Sequence, residues 1–207
     1  MYNPKSFQQT SLPTLHTFMQ THNFATLVSQ SNGGLVATHL PLMIDPTRGE
    51  HGTLIGHMAR ANSQWKQMTQ QEVLVMFQGP HTYISPGWYG DHPSVPTWNY
   101  TTVHAYGTPY IVDDPKAVEA MLEHLVNHHE ANFQPPWGMD LPDEYMKKML
   151  QSLVAFEMPI TRLEGKFKLS QNRSETDQTR VADALADSTY PPDRDVAALM
   201  RDVQSAT

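Results

Sequence analysis

The sequence predicts an α+β fold, in which an antiparallel β-barrel carries several attached helices. Short strands with hairpin signals and few crossover connections fill residues 24–112. Helical patterns and charged residues become more frequent after Asp113. The 207 residues include no cysteine, so the core must form without disulfides or thiolate-bound metals.

The first predicted elements are a helix and a hairpin. Ser11 is a suitable cap for a helix over 11–22, where apolar residues recur at helical spacing. The Asn32-Gly33-Gly34 turn then joins two strands into a hairpin. The strands predicted in this part of the chain cover residues 24–29, 35–40 and 53–58.

The central part of the barrel begins with a short helix over 63–70, for which Asn62 is the predicted cap. A continuous apolar run over 73–77 is typical of a strand buried on both faces, and Gly79-Pro80 is predicted to end it. The other elements predicted here are strands over 82–85, 98–106 and 108–112, and a proline-rich loop over 86–97.

The second half is predicted to be mainly helical. Asp114-Pro115 begins one helix, and a strand over 154–169 has a break at Pro159 and a second candidate break at Gly165. The other predicted helices cover 143–153, 175–187 and 193–204. We therefore predict a barrel domain over 1–172, with a helical insertion at 113–153, and a helical C-terminal tail over 173–207.

The net charge of −7 opposes sequence-independent binding to nucleic acid or to an anionic membrane. Residues 1–112 hold four basic and four acidic groups, whereas residues 113–207 hold ten basic and seventeen acidic groups. No apolar run approaches the length of a membrane helix, and no secretory signal follows Met1. We therefore expect a soluble cytoplasmic protein.

Several familiar site motifs are absent from the sequence. It contains no glycine pattern of a P-loop NTPase or a Rossmann dehydrogenase, and no side chain is an evident catalytic acid or base. His124 and His128 lie four residues apart on a predicted helix and form a candidate metal-binding pair. An exposed polar flank of the helix is the simpler interpretation of the same pattern.

Two basic segments are candidate anion sites. Arg60 lies where a strand ends and a helix begins, a position that favours a phosphate, although an ordinary surface arginine fits the local sequence equally well. Alternation along the later strand places Arg162, Lys166 and Lys168 on one face, which is either a patch for phosphate or DNA or a solvated surface.

Aromatic residues are concentrated around the proline-rich loop. They are Trp88, Tyr89, Trp98, Tyr100 and Tyr106. Such side chains can pack against a flat ring such as flavin or haem, and they are also common in protein cores and subunit interfaces. The scarcity of charge in this half of the chain favours the interface interpretation.

Several longer motifs, taken in order, resemble one family over nearly the whole chain. The matching motifs are Met1-Tyr2-Asn3-Pro4, Ala37-Thr38-His39-Leu40-Pro41, Gly56-His57-Met58-Ala59-Arg60-Ala61-Asn62 with Trp65, Gly79-Pro80-His81-Thr82-Tyr83-Ile84-Ser85-Pro86, Val95-Pro96-Thr97-Trp98-Asn99-Tyr100, and Glu164-Gly165-Lys166-Phe167-Lys168-Leu169-Ser170-Gln171-Asn172. The chain resembles the PaiB-like, FMN-binding negative transcriptional regulators.

This resemblance implies a split β-barrel of the flavin-reductase and pyridoxamine-phosphate-oxidase type. It also implies a homodimer with FMN in the cleft between subunits. The residues that it implies for FMN binding are Thr38, His39, His57, Met58, Arg60, Asn62, Trp98, Asn99, Tyr100 and Lys168. Among them, the segment from His57 to Asn62 holds the phosphate, with Arg60 as the charged clamp, and Thr38 and His39 lie along the isoalloxazine.

The resemblance leaves three functions open. The first is an FMN-binding regulator, which contacts DNA through Arg162, Lys166 and Lys168 in a dimer. The second is a flavin-dependent oxidoreductase, in which FMN supplies the chemistry and the protein orients it. The third is a haem-handling relative with a histidine as axial ligand.

Overall fold

The computed structural model describes residues 1–31, 33–90 and 93–205. Asn32 of the predicted turn, and Asp91 and His92 of the predicted loop, lie outside the described residues. The strands are β1 (Gln8–Gln9), β2 (Phe24–Ser31), β3 (Gly34–Pro41), β4 (Met43–Asp45), β5 (Thr53–Ala59), β6 (Val73–Ile84), β7 (Thr97–Gly107), β8 (Tyr110–Val112), β9 (Leu153–Pro159) and β10 (Arg162–Lys168). The helices are α1 (Leu12–Thr21), α2 (Trp65–Met68), α3 (Pro115–Glu130), α4 (Asp143–Ser152), α5 (Glu175–Ala186) and α6 (Pro191–Ser205).

The chain divides into two compact units. Unit 1 comprises Met1–Phe18, Gln78–His104 and Glu164–Thr207, and unit 2 comprises Met19–Phe77 and Ala105–Leu163. Strands β6, β7 and β10 each contribute residues to both units. The sequence-based boundary at residue 172 stays a prediction.

The strands of unit 2 belong to two antiparallel sheets. Strand β2 pairs with β3 along its whole length and with the first part of β6 on its other side. The second sheet has the order β4-β5-β9-β8, in which the long β5–β9 ladder aligns His57 with Ala155. These two sheets position the predicted site residues of unit 2.

Helices α3 and α4 pack beside the second sheet through a small apolar core. Asp114 caps α3 by accepting the backbone N–H groups of Lys116 and Ala117, and Pro115 occupies its first turn. The buried residues of this core are Val118, Met121, Leu122, Leu153 and Ala155. Hydrophobic contacts therefore hold the predicted helical insertion against the second sheet within unit 2.

In unit 1, parts of the strands lie in the order β1-β10-β7-β6. Helices α5 and α6 pack against each other, and the buried side chains Val181, Leu185, Val196 and Met200 lie along them. Ser174 caps α5 by accepting the backbone N–H of Asp177. The two tail helices predicted from sequence are thus present, with bounds that differ by only a few residues.

The prediction that Gly79-Pro80 ends a strand is wrong, since β6 continues through both residues. A Cβ on Gly79 would lie 2.4 Å from Thr101 Oγ1 and 2.7 Å from the ring of Phe18. Glycine is therefore required here by close packing and not by a turn. Gly165 also does not break β10, because it pairs with Gln9 of β1.

The helix predicted over 63–70 is shorter than expected. Only Trp65–Met68 is helical, and the cap position belongs to Gln64. Asn62 still accepts the backbone N–H of Gln64 at 3.1 Å, so it closes a turn before the helix. Within the described residues, no helix is long and apolar enough to cross a membrane.

Candidate cofactor-binding site

A hydrogen-bonded polar cluster links β3 to the segment after β5 in unit 2. Asn62 donates from Nδ2 to Thr38 Oγ1 at 2.9 Å, and Thr38 in turn donates to Gln64 Oε1 at 2.5 Å. Thr38 and Asn62 are both half-buried. Two residues predicted separately for the cofactor are therefore in direct contact.

Gln64 is the residue of this cluster that sequence reasoning missed. Its side chain is 1% exposed, and its Nε2 donates to Ser29 Oγ at 2.9 Å and to the Val36 carbonyl at 3.2 Å. Gln64 is therefore anchored to both β2 and β3, and it fixes the side chain of Thr38 on β3. Nothing in the local sequence predicts this burial, because a glutamine beside a short helix is ordinarily exposed.

His39 and His57 occupy different environments in unit 2. His39 is exposed on β3, where its ring stacks with Phe24 at 6.4 Å between centroids. His57 Nδ1 is buried and has no hydrogen-bond partner among the described residues. Burial lowers the pKa of His57 from its ordinary value, so the ring is neutral at neutral pH. Met58 follows in β5, and its side chain is only 4% exposed and belongs to the core.

Arg60 is held by backbone carbonyls at the junction of α4 and β9. Its Nε donates to the Gln151 carbonyl and its Nη2 to the Leu153 carbonyl, both at 2.8 Å. Trp65 also donates to the Arg60 carbonyl at 3.1 Å. The two carbonyl bonds fix the orientation of the guanidinium. Because Arg60 forms no ion pair within the described residues, its charge and its Nη1 remain available to an anion.

Trp98 and Tyr100 belong to an exposed aromatic face in unit 1. Trp98 packs edge-on against Tyr83 at 6.0 Å between centroids and lies 6.4 Å from His81. Trp98 is 53% exposed and Tyr83 is 45% exposed. A surface depression of about 350 Å³ here has no Lys, Arg, Asp or Glu among its lining residues Gln78, His81, Trp98, Tyr100, Thr101 and Thr102. Such a face suits a planar ring or a second protein surface.

Asn99 points away from this face into the core of unit 1. Its side chain is fully buried and its Nδ2 donates to Ser170 Oγ at 2.9 Å. Ser170 has a positive φ of 68°, a conformation that is uncommon for residues other than glycine. The structure therefore assigns the Asn99 side chain to anchoring this turn, and not to the exposed face that carries Trp98 and Tyr100.

Lys166 and Lys168 are engaged in contacts within unit 1. Lys168 Nζ donates to Thr97 Oγ1 at 2.6 Å and to the Trp98 carbonyl at 2.5 Å. Burial, with the nearby charges of Lys166 and Arg173, lowers the pKa of Lys168. Lys166 is 7% exposed and donates to the Tyr2 carbonyl at 2.9 Å. The prediction of an open basic face is therefore wrong for Lys166.

The other cations and histidines singled out from sequence lie in unit 2. Arg162 packs over the Tyr106 ring at 3.4 Å and pairs with Glu72 at 3.6 Å. His124 and His128 are exposed on α3. In the ranges that the structure describes, no group of three His, Cys, Asp or Glu residues is arranged to hold a metal ion.

A family comparison identifies the chain. The family described as "Putative FMN-binding domain" matches residues 1–162. The chain belongs to this FMN-binding family. FMN is thus its cofactor. In unit 2, the available Arg60 charge and the His57 Nδ1 without a partner among the described residues are features that fit such a ligand.

Relatives with similar sequences extend over most of the FMN-binding chain. "Protease synthase and sporulation protein PAI 2" of Bacillus subtilis is 36% identical over 203 residues, which cover 98% of this chain and 97% of that protein. "Uncharacterized protein AN0679" of Emericella nidulans is 32% identical over 182 residues, with 70% of this chain and 72% of that protein covered. The first of these relatives confirms the PaiB-like family predicted from sequence.

Solved structures confirm the predicted fold class. A flavocytochrome, Anf3 from Azotobacter vinelandii, matches with a TM-score of 0.61 at 12% identity and covers 83% of this chain and 74% of its own. A FAD and heme binding protein from Mycobacterium smegmatis matches with the same TM-score of 0.61 at 15% identity, covering 82% and 78%. At this identity the likeness establishes the α+β split-barrel fold and not the chemistry.

Proposed function

We propose that this FMN-binding protein is a PaiB-like transcriptional regulator that acts as a cytoplasmic homodimer. The observation that carries the cofactor assignment is Arg60, whose guanidinium is oriented by two carbonyls and has no carboxylate partner in the described ranges. A fixed arginine at a strand–helix junction favours a phosphate, because charge-assisted hydrogen bonds to phosphate are strong and directional. The similarity to PAI 2 supports the regulatory assignment.

The residues of unit 2 hold FMN in complementary ways in this proposal. Arg60 binds the phosphate, and the neutral His57 offers a ring nitrogen that lacks a partner in the described part of the chain. Thr38 and Asn62, fixed by Gln64, present polar groups along the ring system, and His39 lies next to them on β3. Bound FMN supplies reversible two-electron chemistry, while these side chains bind and orient it.

The residues of unit 1 contribute a different surface. We propose that Trp98 and Tyr100 meet the planar ring of FMN in the homodimer, with Lys168 bound to the backbone beside them. Uncharged aromatic surface is favoured at the centres of subunit interfaces and against flat ligands. In this proposal the buried Asn99 side chain does not contact FMN, and it stabilises the turn at Ser170 instead.

Replacement of Arg60 by Ala should weaken FMN binding by about 1–3 kcal/mol, because one charge-assisted contact to the phosphate is lost. The measurement is a titration of flavin fluorescence with the purified variant. Lys66→Ala is the matched control, since Lys66 is an exposed cation in the same segment and packs over the Trp65 ring. Equal FMN affinity of the wild type and Arg60→Ala would contradict the phosphate assignment.

The regulatory assignment predicts specific, salt-sensitive retention of DNA by the FMN-loaded protein. DNA fragments from upstream of its own gene and of neighbouring genes are compared with an unrelated fragment of equal length. We expect retention to decline steeply with salt, as phosphate contacts require. Loss of retention on all fragments, with FMN still bound, would contradict this assignment.

A flavin-dependent oxidoreductase is the second candidate function. It is favoured by the similarity in fold to a flavocytochrome. Oxidation of NADH or NADPH by the same FMN-loaded preparation distinguishes the two functions. Turnover without DNA retention would support the oxidoreductase, and a haem absorption band would support the haem-handling alternative.

A further inference from the structure

A cavity in unit 2 extends beyond the proposed cofactor site. It has a volume of about 380 Å³ and lies where β8 and β9 meet α3 and α4. Its lining residues are Arg60, Ile111, Val112, Asp113, Pro115, Val118, Lys147, Leu150, Gln151, Leu153, Val154 and Ala155. Arg60 is the one residue that it shares with the set proposed for FMN, since Thr38, His39 and Asn62 are absent from its lining.

The inner wall of this cavity is apolar. Val118, Leu153, Val154 and Ala155 are at most 8% exposed, and three of them belong to the small core that holds α3 and α4. The cavity is an opening beside that core, large enough for a small molecule, because ligand pockets begin at about 300 Å³. An apolar ring or a short acyl chain would gain free energy by leaving water here.

The rim of the cavity carries an excess of positive charge. Arg60 and Lys147 contribute two cations, and Asp113 is the one carboxylate among the lining residues. Arg60 Nε and Nη2 are already bonded to the Gln151 and Leu153 carbonyls, so the guanidinium is held in place beside the apolar wall. Lys147 is exposed and forms no ion pair within the described ranges. Since Arg60 is assigned to the FMN phosphate, Lys147 is the cation of the rim that suits an anionic group attached to an apolar body.

We infer that this cavity binds a small organic acid, whose apolar ring or acyl chain packs against Val118, Leu153 and Ala155 and whose carboxylate faces Lys147. The ligand is separate from FMN, and a regulator could use it as an effector. The inference goes beyond the proposed function, and its test uses protein that already contains FMN. Failure of FMN binding and failure of this inference are therefore distinguishable.

Binding of benzoate to the FMN-loaded protein tests the inference, with benzyl alcohol as the neutral counterpart. We expect benzoate to shift the NMR signals of the Val118 and Ala155 methyl groups and to bind more tightly than benzyl alcohol. Lys147→Ala should weaken benzoate binding by about three- to tenfold, because one partner of the carboxylate is removed. Lys148→Ala is the matched control, since Lys148 is also exposed on α4 but does not line the cavity.

A second variant keeps the test decisive. Val118→Phe should fill the cavity and abolish the benzoate shifts of the Ala155 methyl, while retained FMN shows that the protein is folded. Three results would overturn the inference: no shifts at these methyls, an equal loss of affinity in Lys147→Ala and Lys148→Ala, or displacement of FMN by benzoate. The last result would assign the cavity to FMN itself.

Discussion

Gln64→Met should lower the free energy of unfolding by about 2–4 kcal/mol and strongly weaken FMN binding. The methionine has a similar length but leaves the hydroxyl groups of Ser29 and Thr38 without their partner. A buried polar group that loses its hydrogen bond costs about 1–3 kcal/mol. FMN binding suffers as well, because Thr38 and Asn62 lose the residue that fixes them.

The matched control for this substitution is Gln70→Met. Gln70 is exposed just after α2, so its replacement should change stability by less than about 0.5 kcal/mol. Denaturant unfolding and FMN titration are carried out on both variants. If Gln64→Met bound FMN as tightly as the control, the polar cluster would have no part in the cofactor site.

Asn99→Leu should lower the free energy of unfolding by about 2–4 kcal/mol, while FMN affinity under native conditions stays within about twofold of the wild type. The leucine leaves the buried Ser170 hydroxyl without its Asn99 partner. Ser170 has a positive φ, which is an unfavourable conformation for serine. The substitution removes the hydrogen bond that stabilises this turn before α5. The effect on FMN is small because the Asn99 side chain is fully buried.

This prediction distinguishes the anchoring of the Ser170 turn by Asn99 from the direct contact with FMN that the sequence resemblance implies. Asn172→Leu is the matched control, because Asn172 is exposed in the same segment. Unfolding curves report the anchoring role, and flavin fluorescence reports the cofactor role. A large loss of FMN affinity in folded Asn99→Leu, without a loss of stability, would support the direct cofactor contact that the resemblance implies.

The order of strands and helices was predictable because local patterns determine it. Hairpin signals, the Asp114-Pro115 start of α3 and the apolar spacing along the tail helices are properties of neighbouring residues. The continuous strand β6 was not predictable, because Gly79 is required by contacts with Thr101 and Phe18, which are distant in sequence. The Gly79-Pro80 dipeptide, considered without its distant contacts, is typical of a turn.

The candidate site was predictable only in part, because contacts between residues that are distant in sequence complete it. The motifs identified Thr38, Arg60 and Asn62, and the structure joins Thr38 to Asn62 directly. Alternation predicted which face of β10 carries Lys166 but not that Tyr2 and Tyr100 cover it, with each ring 5.3 Å from the ammonium group. Burial by distant residues also explains why Gln64 was missed.

The central claim is that this chain binds FMN through the fixed polar residues of unit 2. Equilibrium dialysis of the purified protein against FMN, followed by absorption spectroscopy of the retained flavin, tests it most directly. We predict saturable binding of one FMN per chain, which Gln64→Met weakens and Lys66→Ala leaves unchanged. Failure of the folded wild-type protein to retain FMN at any ratio of cofactor to chain would contradict the claim.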